Sequence, residues 1–139
     1  MGTRRFALVF GIVYLLIGLL GLIPAFLSPP TSDPGVAIDT LHGNLLGIFP
    51  VNIVHTLVHL LFGAWGIAAS RSSDGARAFS RVAGITFAIL TVMGLIPGLN
   101  AMFGLAPLHG PDVVLHLLSA AVALYFGFAS RPVMDTTRV

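Results

Sequence analysis

The stretch Phe49-Pro50-Val51-Asn52-Ile53-Val54-His55-Thr56-Leu57-Val58-His59-Leu60-Leu61-Phe62-Gly63 decides how this chain is read. It carries no charged residue, and its two histidines stand four residues apart. Residues at i and i+4 share one helical face, one turn apart. Asn52 and Thr56, also four apart, extend that polar stripe. In a bilayer such a stripe must face protein or a water-filled cavity, because polar groups turned to lipid are costly. The stretch is therefore expected to be the outer half of a membrane-spanning helix.

Composition agrees. The chain has 139 residues, enough for one domain, and 56% are hydrophobic while only 9% are charged. A soluble domain carries roughly 25% charged residues. Mean hydropathy is +0.98. Nucleic-acid binding is excluded, because the few arginines form no basic stripe. With no cysteine, thiolate metal sites, disulfides and thiol catalysis are excluded too. All seven basic residues are Arg, a bias that fits a GC-rich bacterial genome.

Working outward from the histidines, the pattern predicts four spans. The run Phe6 to Leu27 is uncharged and long enough to cross a bilayer at roughly 20 residues per span. It is too long for the apolar region of a typical signal peptide. Ser28 to Gly35 is rich in turn residues. Ile38, Leu41, Leu45 and Ile48 then recur at helical spacing, which predicts a short interfacial helix over 36–48. Pro50 is expected to open helix two, which runs to residue 70. Arg71 to Arg77 reads as a polar loop, helix three as 79–96, and helix four as 111–130. Asn100 is a candidate cap for a helical turn in the second outer loop.

The arginines set an orientation. In this four-span reading Arg4, Arg5, Arg71, Arg77, Arg81, Arg131 and Arg138 fall on one side, and the opposite loops hold no basic residue. The positive-inside rule then puts both termini in the cytoplasm of a bacterial inner membrane, with the histidine-bearing end outward. The lipid bilayer is the expected partner, with a homo-oligomer or a larger membrane complex compatible with the pattern.

The two halves resemble each other. Gly21-Leu22-Ile23-Pro24 matches Gly94-Leu95-Ile96-Pro97, and His59-Leu60-Leu61 matches His116-Leu117-Leu118. Nine residues separate Pro50 from His59, and nine separate Pro107 from His116. Two tandem helical hairpins are expected, related by a pseudo-two-fold axis along the membrane normal. The match pairs His55 with Asp112 and puts His59 and His116 at one depth, about 13 Å below their prolines.

Three readings of this constellation are open. The histidines could cross-link helices by hydrogen bonds, as in a structural or accessory subunit. His55, His59, Asp112 and His116 could form a site for zinc or another transition metal, or His59 and His116 could be axial ligands of a b-type haem. A proton or transport path is the third, but no ionisable residue lies between His59 and Arg71 or between His116 and Arg131. The sequence shows no local enzyme signature and contains no Glu. His42 and His109 read as solvated or interfacial loop histidines, and Tyr14, Trp65, Met93, Met102 and Tyr125 as packing or interface residues.

The stretch Phe49 to Gly63, with Gly94-Leu95-Ile96-Pro97 and Asp112-Val113-Val114-Leu115-His116-Leu117-Leu118, resembles the small bacterial family called domain of unknown function 4383. The resemblance covers nearly the whole chain. It implies a four-helix membrane protein and carries no activity with it. A likeness to small four-helix b-type cytochromes rests on histidine placement alone.

Overall fold

A computed structural model describes residues 2–129. The order along the chain is α1 (Thr3–Gly21), a 3-10 turn at Pro24–Phe26, β1 (Leu27–Ser28), β2 (Gly43–Leu45), β3 (Phe49–Val51), α2 (Ile53–Ala69), α3 (Ser73–Leu95), a 3-10 turn at Met102–Gly104, α4 (Pro111–Leu124) and a π-helical turn at Tyr125–Ala129. Thr3–Gly21, Ser73–Leu95 and Pro111–Ala129 are long and apolar enough to cross a bilayer, and mark a membrane protein. The apolar helix α2, with 17 residues, is shorter. Val9, Leu16, Leu61, Ile89, Val92, Leu117 and Leu118 point outward, each about half exposed or more. Water would penalise such a belt; hydrocarbon does not.

Without a hydrophobic drive between helices in lipid, close packing must hold the bundle, and small residues permit it. α1 packs chiefly on α2, and α3 on α4. A Cβ at Gly11 would lie 2.6 Å from the Ile67 nitrogen, and one at Gly63 would lie 2.5 Å from the Leu15 nitrogen. No larger side chain fits there without parting the backbones. α2 and α3 touch over far fewer residues, and the backbones of α2 and α4 scarcely approach.

The two ends of the bundle differ. At the arginine end, where α1 and α3 begin, Phe6, Phe10, Phe79 and Phe126 form an aromatic core with Ala7, Ala76 and Ala83. Phe6 stacks on Phe126 at 4.6 Å, and Phe10 meets Phe79 edge-on at 5.8 Å. At the loop end, β1, β2 and β3 form a small antiparallel sheet in that order, with Leu27 opposite Leu45 and Gly43 opposite Val51.

Several expected boundaries are corrected. Residues 36–48 are not an interfacial helix: they contain β2 and a hairpin turn, in which Leu46 and Gly47 both take positive φ, 54° and 74°. Two positive φ values make the mirror-image turn whose twist suits a hairpin. The helical spacing of Ile38, Leu41, Leu45 and Ile48 is thus incidental to the fold. Pro50 lies in the edge strand β3, where its missing N–H costs no ladder bond, and does not open α2. Helix one ends at Gly21, and Leu27 lies in β1. Arg77 lies inside α3, which Ser72 caps by accepting from the Gly75 N–H at 3.0 Å, with Asp74 in the first turn. Ala101 precedes the second 3-10 turn, while Asn100 accepts from the Leu108 N–H through its backbone carbonyl. Ser130, Arg131 and Arg138 lie outside the described residues.

Candidate metal centre

Asn52 builds the site's floor plan. Read from sequence as part of the helical stripe, it is the N-cap of α2: its Oδ1 accepts from the His55 N–H at 3.0 Å. Its Nδ2 donates to the carbonyls of Ile38 and Leu105, at 2.9 and 2.8 Å. One fully buried side chain therefore starts the helix and ties both long loops over it. Because α2 starts at Ile53 and α4 at Pro111, His59 and His116 lie about 9 and 8 Å along their helices, less deep than Pro50 and Pro107 implied.

The structure brings His55, His59, His116 and Asp112 together between α2 and α4. Each is nearly or wholly inaccessible to solvent. One ligand atom from each of the three histidines lies within 4.8 Å of the other two. The His55 ring centroid is 4.5 Å from that of His59 and 5.8 Å from that of His116. Asp112 stands behind them: Oδ1 is 3.8 Å from His55 Nε2, and Oδ2 is 3.5 Å from His116 Nδ1. These are electrostatic contacts, too long or too poorly aligned for hydrogen bonds.

Both nitrogens of His55 and His116, Nε2 of His59, both Asp112 oxygens and the Thr56 hydroxyl are buried without a hydrogen-bond partner. The Pro50 and Pro107 carbonyls approach His55 but complete no bond of standard geometry. Buried polar atoms are normally paired, since an unpaired one costs about 1–3 kcal/mol. Unpaired nitrogens and oxygens are thus concentrated at this one place between α2 and α4.

Two residues read from sequence as packing belong to this site. Tyr14 meets His59 edge-on at 5.1 Å, and its hydroxyl shares a 2.6 Å hydrogen bond with Ser119. Met102, at φ 48°, lines a cavity beside the histidines. No spacing rule would have found either, because each comes from a different helix or loop than the histidines. His42 and His109 stay in the loops. His109 Nδ1 lies 3.4 Å from the Ser32 hydroxyl. Partial burial, then the neighbouring His42, hold the His109 imidazole below its ordinary pKa, against the pull of Asp33. The N–H groups of Val36 and Gly35 both donate to Asp33 at 2.8 Å and hold its carboxyl below the usual carboxylate range.

A helical membrane protein with a buried histidine cluster is the class that this fold and site define. The chain belongs to the family described as domain of unknown function (DUF4383), whose profile matches residues 4–129. No curated protein and no solved structure matches it.

Proposed function

We propose that this is a four-span protein of the bacterial inner membrane that holds a transition metal ion on His55, His59 and His116. The observation that carries the reading is the convergence of three buried imidazoles, with ligand atoms within 4.8 Å of one another. Tetrahedral zinc with Zn–N bonds of about 2.0–2.1 Å sets ligand atoms about 3.4 Å apart, so a contraction of at most about 1.4 Å would close the site. Nitrogen-rich sites suit zinc, copper, nickel and cobalt. Asp112 faces Nε2 of His55 and Nδ1 of His116, which leaves His55 Nδ1 and His116 Nε2 for the ion. A carboxylate behind ligating histidines orients them and offsets part of the cation's charge in a medium where net charge is costly.

The b-type haem reading is the weaker one. The cavity beside the histidines is about 230 Å³, and three rings crowd the space that a macrocycle would need. Hydrogen-bonded cross-linking, the structural reading, is opposed by the unpaired nitrogens.

Orientation and ancestry belong to the same proposal. All described arginines lie at the end opposite the histidines, which supports cytoplasmic termini and an outward site. Two tandem hairpins are supported by matched contacts, at a constant offset of 73 residues between α1 and α3 and 57 between α2 and α4. A Cβ at Gly11 would meet the Ile67 nitrogen at 2.6 Å, and one at Gly84 would meet that of Leu124 at 2.8 Å. Tyr14 faces His59 at 5.1 Å as Phe87 faces His116 at 5.3 Å.

The test is metal analysis of the purified protein, with absorption spectra oxidised, dithionite-reduced and loaded with Co²⁺. One equivalent of bound metal, lost in His59→Ala and His116→Ala, is expected. A Soret band would instead establish haem, and a protein that takes up neither would end the proposal. For orientation, cysteine placed by Asp33→Cys should be labelled from outside intact cells, and by Asp74→Cys should not.

A further inference from the structure

The cavity adjoining the histidines opens in an unexpected direction. One wall is His55, His59 and His116; the others include Val54 and Val58 of α2, Thr86 and Leu90 of α3, and Met102 and Leu108 of the loop end. Apart from Thr86 the walls beyond the histidines are apolar. Toward the loops it is shut, because Val51, Asn52, Ala106 and Leu108 are buried above the site and Asn52 bonds both loops. Toward the bilayer it is not. α2 and α3 are sparsely packed on each other, Val54, Val58, Thr86 and Leu90 are only half-buried, and Leu57, Leu61, Ile85 and Ile89 beside them face lipid.

Three protein ligands leave a tetrahedral ion one free position, the arrangement of sites that bind a further ligand rather than of closed structural sites. We propose that a small lipid-soluble molecule, with a single donor atom on an apolar body, enters between α2 and α3 from the bilayer and takes that position. The inference rests on the metal reading above. The cavity of about 230 Å³ falls below the roughly 300–1,000 Å³ of pockets for drug-sized ligands. It therefore takes the head of such a molecule, a single ring or a short polar group, while the tail stays among the lipids. A charged, water-borne ligand meets the closed side and an apolar wall.

The experiment uses the full chain in lipid nanodiscs loaded with Co²⁺, whose visible bands report a change of ligand. The probes are 1-hexylimidazole and an imidazole bearing a sulfonate. Hexylimidazole should shift the bands saturably with one equivalent and with the ion retained, and the sulfonated probe should not. Val58→Phe and Leu90→Phe, which fill the cavity from opposite helices and replace none of the three histidines, should each bind Co²⁺ yet weaken hexylimidazole at least tenfold. If Co²⁺ binds but hexylimidazole leaves its bands unmoved or strips the ion, the inference is overturned. It is likewise overturned if the sulfonated probe acts equally well or if both filled variants respond as the parent does. Failure of Co²⁺ to bind at all would instead sink the metal reading.

Discussion

At the arginine end, polar groups have partners: the buried Ser80 donates to the Ala76 carbonyl at 2.7 Å, and the exposed Arg4 and Arg81 donate to the Ser70 and Gly127 carbonyls, each at 2.9 Å. At the loop end, His55, His59, Asp112 and His116 are buried as Ser80 is and lack them. Among the described residues, every buried side-chain polar atom without a partner lies at this end or in its loops. One end is packed for stability, with stacked rings and satisfied donors. The other keeps unpaired groups that weaken the fold unless something binds them. On the proposed metal reading, function and stability are separated along the bundle axis, and the separation can be tested.

The largest effect is expected from Phe79→Ala. Phe79 is wholly buried and touches Phe10, Phe62 and Trp65. Its loss should cost about 3–5 kcal/mol in reversible unfolding, with metal affinity of the folded protein unchanged. A change in affinity would show that the two ends are coupled. Asp112→Asn should do the opposite. It keeps the shape and removes the charge behind His55 and His116, so metal affinity should fall about 10–100-fold by titration, with little change in ion-free melting. Unaltered affinity would remove Asp112 from the site.

His59→Leu sharpens the contrast. An unpaired buried imidazole costs about 1–3 kcal/mol, so the ion-free variant should melt no lower than the parent while losing stabilisation by metal. A large drop in melting temperature would mean that the histidine serves packing. Asn52→Ala should cost about 1 kcal/mol through the lost cap, with faster hydrogen exchange in 36–45 and 102–108.

Acid should produce the smallest effect, confined to the loops. His109 is held below its ordinary value, so the unfolded chain takes up its proton first. Its contribution is intact above about pH 6.5 and declines as pH falls from there through its lowered folded value. Asp33, also lowered, contributes above about pH 3.9 and loses that as pH falls through its folded value. Protection factors of the ion-free protein, with exchange rates corrected for their intrinsic pH dependence, should fall in these loops on acidification before they do in the aromatic core.

Much of the fold was legible because a bilayer leaves few choices. Long uncharged runs, their arginine flanks and the i, i+4 histidines led to helices, their order and the residues that meet. The 36–48 region was misread because apolar spacing at 38, 41, 45 and 48 mimics a helix, while Gly43 and Gly47 signalled strands and a turn. Ser72 followed by Asp74 is a start signal for α3 that precedes the apolar run by a full turn. Convergence of His55, His59 and His116 could be anticipated from matched depth. The parts played by Tyr14 and Met102 could not, since only tertiary packing brings α1 and the 102–104 turn against the histidines.

The glycine contacts between α1 and α2 have a mechanical consequence. Backbone packed on backbone makes each hairpin a stiff board, whereas α2 and α3 meet loosely along the spine that joins the two boards. His55 and His59 stand on the first board, His116 and Asp112 on the second. An ion held by all three histidines, as proposed, would be a clasp across the covers of a book, added to the Phe6–Phe126 stack and the Tyr14–Ser119 bond that already join them.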